Sequence, residues 1–223
     1  YYSSDFREHP VAMLLAGILE SHDKHHFEVY AFSSGPEVDS DLRQRIKKSV
    51  DQFIDINFLT EEQVAKYSRE YAIDIAVDLS GHTFDSRIGA FSYRAAPIQV
   101  SYLGYPGTTG ADYIDYFVAD SVLVHPNDHQ FFSEKVVYLP SYQPNDSTRK
   151  ISDQYLTREM VGLPEKGFVF CCFNEVYKIT PSVFDVWMRI LHAVPCSVLW
   201  LRNSNSYAVE NLRREADLRG MDS

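Results

Sequence analysis

Residues 73–83 read Ile-Asp-Ile-Ala-Val-Asp-Leu-Ser-Gly-His-Thr, an apolar run over 75–79 broken once by Asp78 and closed by Ser80, Gly81, His82 and Thr83. A strand with one wet face alternates apolar and polar residues, whereas a near-continuous run this short is the mark of a parallel strand buried on both faces. Parallel strands need crossover helices, and the flanking sequence supplies them. Upstream, Pro10 suits the first position of a helix whose apolar face is Val11, Leu14, Leu15, Ile18 and Leu19. A strand over 27–32, a polar helix over 39–50, a short strand over 52–56 and a helix over 61–71 follow. Downstream, strands over 98–103 and 116–118 are separated by Gly104-Tyr105-Pro106-Gly107-Thr108-Thr109-Gly110. This alternation predicts an open parallel sheet covered by helices.

Around residues 140–166 the character changes to Pro-, Asp- and Ser-containing segments. The expected organisation is a Rossmann-like domain over 1–140, a linker over 141–166, and the first part of a second Rossmann-like domain over 167–223. The second part carries strands over 168–173 and 197–201 and helices over 181–193 and 208–218. In the first of these helices Trp187, with Val183, Ile190, Leu191 and Val194, is expected to mark the core face. The opening residues, YYSSDF, read as the end of a strand that begins earlier, so a longer parent protein is expected.

Composition narrows the function classes. With 45% hydrophobic and 23% charged residues among 223, the chain has ordinary globular usage, which excludes a disordered or collagen-like protein. A net charge of −10 argues against non-specific nucleic-acid binding, which needs a basic surface, so an anionic ligand requires a local basic site. No apolar stretch is long enough to span a bilayer, and the first ten residues have neither a basic nor an apolar leader region. The three cysteines, Cys171, Cys172 and Cys196, form no CxxC pair, so a disulfide framework and a structural zinc site are not expected and a reducing cytoplasm is.

The strongest local chemical signal is Phe173-Asn174-Glu175-Val176-Tyr177-Lys178-Ile179-Thr180-Pro181, which joins a buried strand to a helix with Thr180 as its N-cap. Ligands of open α/β sheets bind at the carboxyl ends of strands, where a helix N-terminus and a lysine together suit a diphosphate. The plainer alternative is a solvated loop lysine. His9 falls at an N-cap, where the positive helix end disfavours imidazolium and keeps the ring neutral; its plainer role is the cap itself. His82 follows a buried strand at the same sheet edge, or is simply a turn residue after Gly81. Asp78 inside an apolar run must be hydrogen-bonded or belong to the site. The glycines of 104–110 suit a backbone that approaches a ligand closely, or an ordinary turn. His22, His25 and His26 lack metal-ligand spacing, and no metal is assigned.

Three segments combine these signals: SSDFREHP at 3–10, RAAPIQVSYLGYPGTTGADYIDY at 94–116, and FNEVYKITP at 173–181 with SVLWL at 197–201. In order, spacing and wording they resemble the catalytic region of the protein O-GlcNAc transferase and SPINDLY family. The resemblance implies a GT-B architecture of two Rossmann-like domains. It also implies metal-independent, inverting transfer of N-acetylglucosamine from UDP-GlcNAc to Ser or Thr hydroxyls of proteins, without a cofactor. Tetratricopeptide repeats outside this sequence would hold the protein acceptor. On the same basis Lys178 would neutralise the donor β-phosphate, Tyr177 would lie near the reacting centre, and His9 would be the active-site histidine. Gly104 and Pro106, with Tyr105 and Thr108 of the same loop, would line the sugar site, while Asn174, Glu175 and His82 would complete the substrate-binding set. Two positions depart from the animal enzymes: Glu175 stands in place of glutamine, and Asp74 in place of histidine. The sequence ends before the family's later Gly-His-Thr-Thr segment, so these 223 residues alone are expected to be inactive. The alternatives are a protein O-fucosyltransferase or a glucosyltransferase of the same family using another nucleotide-sugar, or a catalytically silent interaction module.

Overall fold

The computed structural model describes residues 1–222 and falls into two compact units, Tyr1–Lys150 and the part beginning at Ile151. Ser223, with which the expected second domain ends, lies outside the described residues. The first unit contains β1 (Tyr2–Ser3), α1 (Pro10–Glu20), β2 (Tyr30–Ser33), α2 (Asp41–Ser49), β3 (Gln52–Asp55), α3 (Glu61–Glu70), β4 (Ile75–Asp78), a short α4 (Gly89–Ser92), β5 (Ile98–Ser101), β6 (Tyr116–Ala119) and β7 (Lys135–Tyr138). The seven strands form one sheet in the order β3-β2-β1-β4-β5-β6-β7, every pair parallel.

The sheet is covered on both faces. On one, Phe6, Val11, Leu15, Leu19, Ile46, Leu79 and Leu103 bring α1 and α2 onto the strands. On the other, Tyr2, Phe32, Ile54, Val64, Phe91 and Ile114 join α3 and α4 to it. Each fully buried leucine or phenylalanine contributes about 2 kcal/mol of transfer free energy, which makes the register of these short strands unambiguous. Tyr2 stacks on Phe32 with ring centroids 4.5 Å apart, and its buried hydroxyl donates to Ser68 Oγ at 2.5 Å. The helix starts are capped from the sequence: Ser40 accepts from Arg43 N–H at 3.2 Å, and Thr60 with Gln63 closes a capping box on α3.

The second unit contains β8 (Val169–Cys172), α5 (Pro181–Ala193), β9 (Val198–Leu201) and α6 (Ser206–Asp217), with β8 and β9 parallel. Here the core face of α5 is Phe184, Met188 and Leu191, packed on Phe170 and Leu199. Trp187 is only partly buried, and Val183 and Ile190 point outward, because the i, i+4, i+7 row from Phe184 is the one that meets the strands.

Three expectations are corrected. The strand expected over 27–32 starts at Tyr30, because the amides of His26 and Phe27 turn back onto the Asp23 carbonyl. β7 was not expected at all; it is the edge strand, and its mostly exposed residues give no buried-run signal. The linker expected over 141–166 begins later. Tyr142 is buried with its hydroxyl donating to the Leu103 carbonyl at 2.8 Å, and Asp146 accepts from Arg45 at 2.6 Å, fixing 141–150 on the first unit. Among the described residues no helix is long and apolar enough to cross a membrane.

Candidate active site

In the first unit the strand order reverses between β1 and β4, and at such a switch point the loops leaving the two carboxyl ends diverge and open a crevice. Three of the connections that leave the carboxyl edge flank this point: 4–9 after β1, 79–88 after β4, and 102–115 after β5. They carry His9, His82 and the 104–110 segment, so the topology brings all the first-unit candidates to one edge.

His9 is the N-cap of α1, extended at φ −145°, and its Nδ1 accepts from the Val11 amide at 3.3 Å. With the Nδ1 lone pair committed to the cap, the proton of the neutral ring resides on Nε2. His9 therefore presents a hydrogen-bond donor rather than a vacant base nitrogen. Beside it the buried Asp5 carboxylate lies 3.6 Å from Nδ1 and accepts from Arg7 at 3.1 Å.

Asp78, 1% exposed, accepts from the amides of Gly81 at 2.7 Å and Ser80 at 3.2 Å. Both oxygens thus shape the turn rather than face a ligand. Burial pushes its pKa up to about 6, against the pull of the two amides and of His82. Gly81 sits at φ +54°, and a side chain there would strike Tyr105. His82 Nε2 lies 2.7 Å from the Thr109 carbonyl, which can only accept, so Nε2 carries the proton and Nδ1 is left as an acceptor. The His82 ring meets Tyr105 in a T-shaped pair with centroids 5.4 Å apart.

The 104–110 segment is held from within the protein. A Cβ on Gly104 would lie 1.8 Å from the Leu79 carbonyl oxygen, so this glycine answers a close approach of backbone to backbone, a requirement internal to the fold. Pro106 is exposed, whereas Tyr105 and Thr108 are half-buried. Glu134, which the sequence reading missed, accepts from Thr108 Oγ1 at 2.7 Å, from Thr109 N–H at 2.7 Å and from the Thr109 hydroxyl. Burial alone would raise the Glu134 pKa, but these hydrogen bonds outweigh it and hold the carboxyl below its usual range.

In the second unit, β8 runs into Phe173-Asn174-Glu175, a tight 3₁₀ turn at Val176–Lys178, and the Thr180 cap of α5. Asn174, Tyr177 and Lys178 are exposed, and Tyr177 is 79% so. The Lys178 ammonium lies 6.0 Å from the Tyr177 ring centroid and has no carboxylate within ion-pair distance among the described residues. Glu175 is instead paired with Arg202, just beyond β9. The α5 terminus offers fewer free amides than its position suggests. Pro181 has none, and Val183 N–H is taken by Thr180 Oγ1 at 3.4 Å. Ser182 keeps the free one, so the positive potential here comes mainly from Lys178 and the helix dipole.

Within each unit the candidates gather: His9, His82, Gly104, Tyr105, Pro106 and Thr108 on the first, and Asn174, Glu175, Tyr177 and Lys178 on the second. Sequence reasoning missed Asp5, Glu134 and Arg202, whose importance lies in partners that no local pattern announces. Among the described residues no group of three or more His, Cys, Asp or Glu side chains is placed to hold a metal ion.

The family described as Glycosyl transferase family 41 matches residues 1–144 and 143–223. The SEC protein of Arabidopsis thaliana, described as a probable UDP-N-acetylglucosamine–peptide N-acetylglucosaminyltransferase, is 38% identical over 207 residues, covering 90% of this chain and 21% of its own length. SPINDLY of Solanum lycopersicum, with the same description, is 35% identical over 207 residues, covering 89% of this chain and 22% of its own. The solved structure of a lysine-to-methionine mutant of the Thermobaculum terrenum O-GlcNAc transferase superposes with a TM-score of 0.86 at 33% identity, covering 100% of this chain and 42% of that one. This chain thus spans about a fifth of the length of the curated relatives it matches. The parallel α/β architecture is of the GT-B type, as in that structure, and with its whole length matched the chain belongs to glycosyl transferase family 41.

Proposed function

We propose that this chain serves an inverting, metal-independent glycosyltransferase that moves N-acetylglucosamine from UDP-GlcNAc to Ser or Thr hydroxyls of proteins. The observation that carries the reading is the Lys178 ammonium, without an ion-pair partner among the described residues, beyond the carboxyl end of β8 and beside the N-terminus of α5, with the neighbouring Glu175 paired with Arg202. The names of SEC and SPINDLY, which specify UDP-N-acetylglucosamine as donor and a peptide as acceptor, support the same donor and acceptor here.

In an inverting displacement the acceptor oxygen attacks the anomeric carbon as the bond to the diphosphate breaks, and negative charge grows on the β-phosphate oxygen. Lys178 and the α5 dipole meet that charge as fixed positive potential. Tyr177, adjacent in the turn, and Asn174 flank the donor. On the first unit, His9 offers its Nε2–H, while Tyr105, Pro106 and Thr108 give the 104–110 loop a shaped polar surface. The protein acceptor is held by tetratricopeptide repeats elsewhere in the polypeptide, and the protein works in the cytoplasm, in keeping with the three free thiols.

The silent-module alternative drew on Glu175, whose carboxylate would repel a diphosphate. Its pairing with Arg202 removes that support. The test is a transfer assay on the full-length parent with UDP-GlcNAc and GDP-fucose in parallel. Transfer from UDP-GlcNAc to a protein hydroxyl, with inversion at the anomeric carbon, is expected. Transfer from GDP-fucose alone would replace the donor, and failure to bind any nucleotide-sugar would overturn the reading.

A further inference from the structure

Glu134 lies outside every motif discussed above, yet it is 5% exposed and accepts three hydrogen bonds at the first unit's carboxyl edge. Its partners are oriented by their other contacts. Thr108 Oγ1 accepts from the amides of Gly110 at 3.1 Å and Ser133 at 3.3 Å, and Thr109 Oγ1 accepts from the Ala111 amide at 3.3 Å. Because the carboxylate can only accept, each hydroxyl directs its single proton at Glu134, and the Thr109 amide adds a third donor at 2.7 Å. A carboxylate collects three donors here, and no neutral side chain of the same shape can.

The network does not stop at Thr109. Its carbonyl, which belongs to the following peptide group, receives His82 Nε2 at 2.7 Å. The His82 ring also meets Tyr105 in a T-shaped contact, and the Tyr105 ring occupies the space a Gly81 side chain would need. The chain of contacts thus runs from Glu134 through Thr109 to His82, 52 positions away in sequence.

We infer that Glu134 is a positioning residue: by clamping Thr108 and Thr109 it aims the Thr109 carbonyl at His82 and fixes that ring as the Nε2–H tautomer, with Nδ1 presented as a hydrogen-bond acceptor. His9, one strand away, is fixed in the complementary sense, its Nδ1 occupied by the Val11 amide and its Nε2–H free. The edge therefore carries one histidine donor and one histidine acceptor. A transferase has use for both, the acceptor nitrogen being suited to the proton of an attacking hydroxyl. This functional half rests on the reading in the previous subsection; the tautomer does not.

The test is long-range ¹H–¹⁵N correlation NMR of the histidine rings in this chain, with the His82 signals assigned by loss in His82→Gln. At a pH where the ring is neutral, His82 should show a protonated Nε2 and a bare Nδ1. Glu134→Gln replaces one acceptor oxygen by a donor, so the His82 nitrogens should move toward the averaged shifts of two interconverting tautomers. If Glu134→Gln fails to fold, Thr109→Val removes one donor, keeps the amide bond, and should move the same signals less far. An Nδ1–H tautomer in the unmodified chain, or His82 shifts unchanged in the folded variant, would overturn the inference whatever the protein transfers. In the full-length parent Glu134→Gln should lower kcat by about tenfold to a hundredfold, as misplacement of a reacting group does. A disordered tautomer with kcat unchanged would show that no step uses Nδ1, and would overturn the functional half alone.

Discussion

The Glu175 carboxylate is paired with the Arg202 guanidinium, so the carboxyl ends of β8 and β9 are tied by an ion pair beside Lys178. Both partners are about half exposed, and such pairs contribute little to stability, about 0–1 kcal/mol. Their value lies in what an unpaired Glu175 would do to a diphosphate. Arg202→Met should leave the melting temperature nearly unchanged but weaken UDP-GlcNAc binding to the full-length parent about tenfold, as a few ångströms of like-charge repulsion at intermediate dielectric predicts. Adding Glu175→Gln should restore affinity. Calorimetric titration of the single and double variants checks this, and a double variant as weak as Arg202→Met would show that Arg202 acts by another route.

Asp78 makes a signed prediction about pH. Its pKa rises from 3.8 in the unfolded chain to about 6 in the folded one, so the folded form binds the proton more tightly. Its contribution is present below pH 4 and is lost as pH rises toward 6, on the order of 3 kcal/mol in total. Glu134 has the opposite sign: its lowered pKa stabilises the fold above the usual carboxylate range and is lost as pH falls through the folded value. Asp78→Asn should therefore flatten the decline between pH 4 and 6 and leave the acid limb intact. Denaturant titrations across that range decide it, and an unchanged slope would mean that Asp78 titrates normally.

The sheet was largely legible because its strands are short apolar runs: β3, β4 and β5 fall within the expected spans 52–56, 75–79 and 98–103 and β6 within one residue of 116–118, whereas β2 starts three residues later than the run over 27–32. The caps His9 and Thr180 show in the sequence because capping is a local rule. β7 escaped because an edge strand such as Lys135–Tyr138 needs no buried face, and Tyr142 was taken for linker because its burial depends on Leu103, 39 residues away. The same reason hid Glu134 and Arg202: their partners, Thr108, Thr109 and Glu175, lie 25–27 residues distant. Local patterns place the candidates at the carboxyl ends of strands, whereas the groups that orient them are fixed by tertiary contact.

Gly104 separates a packing role from a ligand role. Gly104→Ala places a methyl group against the Leu79 carbonyl, a main-chain atom that cannot swing aside, so the chain should lose about 1–3 kcal/mol of stability. Thermal unfolding of this chain, with no ligand added, measures it. If the melting temperature held and only donor binding fell, the glycine would serve the ligand and the packing account would be wrong.

Because Lys178 and the α5 dipole supply the positive charge in the proposed mechanism, turnover of the full-length parent should survive EDTA. Loss of activity in chelator, with recovery on adding Mg²⁺ or Mn²⁺, would mean that a cation performs the work assigned here to the lysine.

The most direct test of the site is Lys178→Met in the full-length parent. The ammonium lies in a short turn between β8 and α5, makes no ion pair among the described residues, and is exposed beside the neighbouring Tyr177 ring, so the fold does not depend on it. Methionine keeps a stem of similar length and removes only the charge. A stability change within about 0.5 kcal/mol is expected, as for an exposed substitution. Turnover with UDP-GlcNAc should fall on the order of 10²–10³, the usual cost of losing one fixed stabiliser of developing charge. The loss should appear mainly in kcat, because the charge on the β-phosphate grows as the bond to the sugar breaks and is smaller in the bound donor. A proportional rise in KM with kcat preserved would assign Lys178 to ground-state binding instead. Turnover close to that of the unmodified protein would leave it a solvated loop lysine and remove the observation on which the proposed function stands.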